Sequence, residues 1–247
     1  MKTVDKAALV LDQFTVERKE IGLSELARLI NNDKAATRRL LLALSKHELI
    51  EQDEETRKYR LGKGFLRLAR VREATVPLSR AAQKITDWLA HEVGETVHVS
   101  VPMAEGMNSV AHCMPNRGHV INIYPSQVLP FDATSSGLSF LAFSSIETQK
   151  SILAMKRTRA TPESIRTNKE LIAKIKQIQA DGYVSTRSLF EEEVASVGMP
   201  FFVNHGEPAG AVAIAVPEST FDNARIEQLL IPLRQAVARL ENELTGS

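Results

Sequence analysis

Cysteine occurs once in the 247 residues, at Cys113, which excludes an internal disulfide and any zinc site built on several thiolates. Aromatic residues are scarce, at 5%. No apolar run approaches the roughly 20 residues that a membrane span needs, so no membrane partner is expected. The first residues are charged and helix-periodic and lack the apolar core of a signal peptide, which makes the cytoplasm the expected location. An excess of one charge is missing too, the formal net charge being +1. No Gly-rich phosphate loop, nucleophile elbow or metal-binding helix is present, so no catalytic residue, metal or cofactor is expected. What is present is a chain 43% hydrophobic, able to fill the core of one large domain or two small ones.

The charge is unevenly spread. Up to Thr75 there are sixteen lysines and arginines against twelve aspartates and glutamates; beyond it, fifteen against eighteen. In the basic front segment, Val4, Ala7, Ala8, Leu11 and Phe14 recur at helical spacing, which predicts a first helix with these residues as its apolar face. Gly22 interrupts, and Ser24 stands where a helix cap belongs. Leu26, Leu29 and Ile30 give a short second helix. Asp33 is a good cap for a third, with Thr37, Leu40, Leu41 and Leu44 inward and Ala35, Arg39, Leu42 and Lys46 outward. Ile50 opens a strand, residues 53–57 form a turn, and Lys58 to Leu61 return.

Helix, short helix, turn, helix and hairpin is the layout of a winged helix-turn-helix. A major groove admits a helix whose N-terminal half carries donors for base edges and phosphates. Lys34, Arg38 and Arg39 are such donors, Ala35 and Ala36 allow close approach, and Ser24 lies at the neighbouring helix start. Arg57, Lys58 and Arg60 in the wing are placed for the flanking phosphates. The competing reading is a helical bundle whose basic residues are merely solvated.

The run IGLSELARLINNDKAATRRLLLALSKHELIEQDEETRKYRLGKGFLRLA, Ile21 to Ala69, resembles the DNA-binding domain of the isocitrate lyase regulator (IclR) type of bacterial transcription factor. Leu23 to Ala27, Lys34, Arg39 to Leu41 and Tyr59 to Gly62 match its pattern. Departures fall at Asp33, where the family favours proline, at Ala35 and Ala36, which replace two hydroxyl residues, and at Arg57, which replaces a turn glycine. The resemblance implies duplex operator DNA as a partner.

Beyond the wing, Gly62 and Gly64 are expected to loosen the exit. Phe65, Leu66, Leu68, Ala69 and Val71 then support a connecting helix rich in arginine. Pro77 marks a break before a helix bearing Leu78, Ala81, Ala82, Ile85, Trp88 and Leu89. From Glu95 the period changes. Residues 96–101 alternate as a strand, Asn108 to Cys113 read as its partner, and His119 to Tyr124 as another. Helices are expected over 146–155, 169–181 and 223–243, the second ended by Gly182. Tyr183 to Thr186 is strand-like, and residues 201–204 and 209–216 read as a hairpin across 205–208. Antiparallel hairpins with segregated helices indicate an α+β fold. The expected domains are a winged helix-turn-helix over 1–62, a connector helix over 63–76 and an effector-binding domain over 77–247.

Residues 128–143, VLPFDATSSGLSFLAF, and Gly182 to Pro217 also resemble blocks of the IclR family, so the likeness spans nearly the whole chain. It implies a GAF-like effector domain and homodimers, which in the family often pair into tetramers. It also implies a cavity walled by Ile121 and Ile123 on one strand, by Thr134, Ser135 and Ser136 at a helix start, and by Thr186 and Val194 to Ser196. Ala213 and Ala215 on the last strand complete it. The helix start favours an anion. Alanine at 213 and 215, where hydroxyl residues are common, leaves room and apolar surface, so the expected effector is a carboxylate with an apolar body rather than a tiny oxygenated acid. The competing reading for each of these residues is plain core.

Four rivals stand beside a DNA-binding repressor tuned by that effector. His112, Cys113 and His119, with His98 or Asp132, suggest a metal, but their spacing is no closed zinc pattern and strand alternation parts His112 from Cys113. Cys113 as a redox sensor needs a lowered thiol pKa, for which only His112 and Arg117 are near in sequence. Asp132 is expected to pair with a base or to cap the following helix. An enzyme would need more than Glu191, Glu192 and Glu193, which read as a solvated loop. The last rival is an RNA-binding or scaffold protein that uses the winged domain for protein contacts, from which a preference for duplex DNA over RNA separates a DNA-binding regulator.

Overall fold

The inward face expected of the third helix, Thr37, Leu40, Leu41 and Leu44, is the buried face of α3 (Lys34–Lys46) in the computed structural model, which describes residues 2–75, 78–115, 120–123, 127–203 and 206–246. The chain divides into two compact units at residues 76/77. In the first, α3 begins where the Asp33 carboxylate accepts the Ala36 amide at 2.9 Å, satisfying a donor that a helix start otherwise leaves unpaired. Its apolar face packs with Val10 of α1 (Thr3–Leu11) and Leu26 of α2 (Leu23–Leu29), and with Ile21, Ile50 and Tyr59. Strands β1 (Ile50–Gln52) and β2 (Tyr59–Leu61) pair antiparallel with Ile50 opposite Leu61 and form the wing.

Several local expectations fail here. Val10, not Val4, is the buried residue of α1; Val4 is 79% exposed and Phe14 lies beyond the helix end. Ala7, Leu11 and Phe14 of the expected face do pack, partly buried, against the core; Val4 fails because the first turn of α1 does not reach it. The N-cap of α2 is Gly22, in extended conformation, and Ser24 is an exposed first-turn residue. Gly62 and Gly64 do not loosen the wing. Both are buried, and a Cβ on Gly62 would meet the Glu48 carbonyl oxygen at 2.2 Å, so glycine is there for close backbone approach. The helix that follows, α4 (Gly64–Thr75), buries only Gly64 and leaves Leu66, Leu68 and Val71 exposed.

The second unit is built on a five-stranded sheet in the order β4-β3-β7-β6-β5, antiparallel at every pairing. Its strands are β3 (Thr96–Pro102), β4 (Met107–Cys113), β5 (Val184–Arg187), β6 (Val194–Phe201) and β7 (Gly210–Pro217). Against one face, α5 (Leu78–Val93) and α9 (Asn223–Thr245) enclose Val97, Val99, Val212 and Ile214. Against the other lies α6 (Ser135–Phe143), backed by α7 (Ile146–Leu153) and α8 (Asn168–Asp181), with Leu138, Leu141, Ile175 and Val184 between them. The fold is therefore α+β. Because both faces are covered, Thr96 to Ser100 are buried at every position instead of alternating.

Two strand expectations need correction. β6 starts at Val194 and ends at Phe201, where a strand starting at Phe201 was expected; Gly198 and Pro200 inside it disguise the pattern. Asn204 and His205 lie outside the described residues. Val120 to Ile123 form no strand, and the flanking His119 and Tyr124 are outside the described residues. That segment is held instead by the Thr96 hydroxyl, which donates to the Ile121 carbonyl at 2.8 Å.

Asp132 does not cap α6. Thr134 does, its hydroxyl accepting the Gly137 amide at 3.1 Å. Asp132 lies 3.3 Å from Arg157 and accepts the Thr158 amide at 2.9 Å, an ion pair closed off from solvent.

Candidate functional site

Two places in the chain gather the chemistry. In the first unit, Ser24, Lys34, Arg38 and Arg57 line one groove between the start of α2, the N-terminal half of α3 and the wing turn. Gln52, Thr56 and Tyr59, which the sequence reading passed over, share it. Ala35 and Arg39 are exposed on α3 outside the groove, Ala36 is half-buried beneath its cap, and Lys58 is exposed on the wing. Among the described residues no carboxylate lies within ion-pairing distance of Lys34, Arg38, Arg39, Arg57 or Lys58. Arg60 differs: its Nε sits 2.6 Å from Glu51, with Glu20 at 3.7 Å, so its guanidinium is turned onto the wing's own acids.

Arg57 carries φ of +58°, left-handed backbone that glycine adopts freely and a side chain resists. Asp53 holds the turn by accepting the Thr56 amide at 2.7 Å, and Gln52 donates to the Arg57 carbonyl at 2.7 Å. A strained arginine exposed at a wing tip fits a role in binding better than one in folding. Arg57→Gly is expected to raise the first unit's stability by up to about 1 kcal/mol, the strain relieved less the added chain entropy, while weakening DNA binding. Paired thermal melts and gel retardation would check both signs; a variant no weaker on DNA would remove Arg57 from the interface.

In the second unit a cavity of about 620 Å3, mouth included, opens beside the start of α6. Thr96, Ala215, Ser196 and Thr186 face one another across β3, β7, β6 and β5, and His98, Ala213, Gly198 and Val184 form the next such row. A Cβ on Gly198 would lie 3.1 Å from the Ser135 backbone, so the first turn of α6 sits directly on this second row. That contact explains which expected residues reach the cavity. Thr186, Ser196 and Ala215 form its floor, Thr134 and Ser135 one end, and Ile121, Ile123 and Val194 its sides. Ser136 and Ala213 do not line it; both are fully buried, Ala213 in the row that α6 covers and Ser136 inside the helix contact. The Thr186 and Ser196 hydroxyls are 2.7 Å apart and bonded to each other.

Several cavity residues escaped the sequence reading: His98, Gln127 and Leu129, and Leu189 to Glu191 in the β5–β6 hairpin. His98 is the consequential one. It is 7% exposed, and neither ring nitrogen has a hydrogen-bond partner among the described residues. Burial, aided by the charge of neighbouring His112, lowers its pKa to about 4. The unfolded chain binds a proton at this residue near pH 6.5 and the folded chain does so only near 4. Stability on the order of 3 kcal/mol is therefore present above pH 6.5 and lost as the pH falls towards 4. Denaturant titrations between pH 4 and 7.5 should show this slope in the wild type and its reduction in His98→Phe; equal slopes would contradict it.

Burial and the nearby Asp87 push the Cys113 thiol up, the opposite of what a redox sensor needs. Arg117 is outside the described residues. Among the described residues no three of His, Cys, Asp and Glu lie close enough to hold a metal.

Both units match known families. A family model described as the IclR helix-turn-helix domain matches residues 3–54, and one described as the C-terminal domain of bacterial IclR transcriptional regulators matches residues 74–242. The transcriptional regulator XynR of Escherichia coli is 23% identical over 99% of this chain and 97% of its own. The glycerol operon regulatory protein of Streptomyces coelicolor is 26% identical over 87% and 84%. A solved IclR-type regulator from Silicibacter sp. TM1040 superposes with a TM-score of 0.93 at 34% identity, covering 100% of this chain and 97% of that one. The fold is shared at 20% identity, with a TM-score of 0.84 and full coverage of both chains, by an IclR homologue from Microbacterium hydrocarbonoxydans solved in complex with 4-hydroxybenzoate.

Proposed function

The chain belongs to the IclR family of bacterial transcriptional regulators, DNA-binding proteins and not enzymes, and from that premise we propose that it is a cytoplasmic repressor released from its operator by a small carboxylate with an apolar body. The observation that carries the DNA half is the convergence of Ser24, Lys34, Arg38 and Arg57 on one groove, where, among the described residues, none of the three basic side chains is ion-paired even with Glu25, which shares the groove. α3 enters a major groove by its N-terminal half, and the wing residues Arg57 and Lys58 meet the adjoining phosphates. Arg39 meets the backbone from the other flank of α3. Arg60 orients the wing through Glu51 and contributes least.

The effector half rests on the cavity. Its helix start offers first-turn amides to a carboxylate, as the Thr186 and Ser196 hydroxyls offer hydrogen bonds beside it. Ile121, Val194 and Ala215 supply the apolar wall for the body. The 4-hydroxybenzoate held by the Microbacterium relative supports an acid of that size. The exposed Leu66, Leu68 and Val71 of α4 support pairing of two copies, which an operator with two half-sites requires. Effector and operator then change each other's affinity by the same factor.

Gel retardation of the chain's own upstream region tests the reading. Retention should fall steeply with salt and be relieved by acids of the stated class. Retention that ignores the whole carboxylate panel would remove the effector assignment, and indifference to the upstream region at low salt would remove the operator.

A further inference from the structure

His98 has no role in the fold that its chemistry explains. It is buried in the central sheet and lines the cavity, yet both ring nitrogens lack partners among the described residues. A buried neutral imidazole carries one donor and one acceptor, and leaving both unmade is costly unless a bound molecule completes them. Opposite His98 in its own row stand Ala213 on β7, which has no polar side chain, and His112 on β4, whose ring makes no hydrogen bond to it.

The sheet also sets how far His98 lies from the other polar end of the cavity. Ser135 of α6 rests on β6 at Gly198, and Ser196 and Thr186 lie on β6 and β5. His98 is on β3, two strands from β6 across β7, whose floor residue in the cavity is Ala215. Two inter-strand spacings make roughly 9–10 Å. His98 lies one row along the strands from Ala215, so the floor reads polar, apolar, polar on a diagonal from Ser196 through Ala215 to His98.

We infer that His98 is a ligand-binding residue, the distal anchor for a two-ended molecule. Its carboxylate sits at the start of α6, its apolar middle crosses Ala215, and a hydroxyl group at its far end bonds the His98 ring. A hydroxyl matches because it both donates and accepts, and so bonds the imidazole in either tautomer. This inference rests on the effector reading above, and narrows the class from carboxylates with an apolar body to distally hydroxylated ones.

Calorimetry on the full-length protein tests it with two pairs of probes, 6-hydroxyhexanoate against hexanoate and 4-hydroxybenzoate against benzoate. In the wild type the hydroxylated member of at least one pair should bind about tenfold more tightly than its parent, the worth of one hydrogen bond in a closed site. His98→Phe should abolish the preference, so that the hydroxylated probe and its parent bind alike, and His98→Gln should restore part of the difference. The wild-type preference is read without any variant, and thermal melts report whether the variants fold. The inference is overturned if hydroxylated and parent acids bind the wild type alike, if neither binds, or if His98→Phe weakens both equally. Parent acids that bind and relieve promoter retention without any hydroxyl preference would overturn His98 alone and leave the effector reading standing. If neither probe pair nor any other carboxylate alters promoter retention, the effector reading falls with it.

Discussion

Lys34→Ala and Arg38→Ala together should lower affinity for the upstream fragment by at least about 100-fold at fixed salt, the largest loss expected of any exposed substitution in the chain. The two side chains lie in one groove with the start of α2 and the wing turn. Each is exposed, and among the described residues neither has an acidic partner within the protein, so neither removal disturbs the core. The single variants separate their roles. A residue reading a base edge costs about 1–3 kcal/mol and relaxes sequence preference at one position, whereas one meeting phosphate weakens all sequences and flattens the salt slope by about one unit. Arg38, one turn into α3 and flanked by the small Ala35, is placed for the first role. Lys34, at the helix start, is placed for the second. Arg60→Ala is the internal comparison. Because Arg60 already engages Glu51 and Glu20, its loss should matter less than that of Arg57 or Lys58. Equal losses at all basic positions would indicate diffuse attraction instead of a seated helix.

The winged unit was legible because its signals are local. Asp33 as a cap, the Thr37-Leu40-Leu41-Leu44 stripe and the turn between Asp53 and Arg57 each follow from residues within a few positions of one another, and each is found in the structure. The failures in the same unit are contacts at a distance. Nothing near Gly62 in sequence says that the Glu48 carbonyl will lie against it. Val4 and Val10 are equally apolar, and only the place where α1 meets α3 separates them.

In the second unit the cavity walls were reached through family likeness, and the position-by-position transfer missed where burial intervenes. Ala213 and Ala215 share a strand face, yet α6 rests over the row of Ala213 and leaves only Ala215 open. His98 was noticed only as a candidate metal ligand, because its unpartnered state is a property of the packed sheet and of no sequence motif. β6 was misplaced because Gly198 and Pro200 read as a break. Glycine there admits the first turn of α6, so the residue that hid the strand is also one that shapes the cavity.

Asp132→Ala should cost about 3–5 kcal/mol, the largest stability loss expected from a single polar side chain. The Asp132 and Arg157 side chains are 6% and 8% exposed, so alanine leaves a guanidinium buried without its counter-charge. Arg157 is poorly compensated otherwise. Its Nη2 donates to the carbonyls of Ile152 and Met155, at 2.6 and 2.8 Å, but Nε and Nη1 lack hydrogen-bond partners among the described residues. The pair also has a functional consequence. Asp132 lies two residues before the α6 cap and ties that approach to the Thr158 amide, so it helps to hold Thr134 and Ser135 at the cavity. A second variant distinguishes lost attraction from a stranded charge. Arg157→Met together with Asp132→Ala removes both charges and should recover most of the stability lost by Asp132→Ala alone, because an apolar pair of similar volume needs no counter-ion. Denaturant titration gives the energies of the single, double and wild-type forms. Recovery of stability in the double variant with ligand affinity still reduced would show that the aspartate positions the helix start beyond balancing the arginine. Failure of the double variant to recover would mean that the destabilisation comes from the lost backbone contact at Thr158 and not from the unpaired guanidinium.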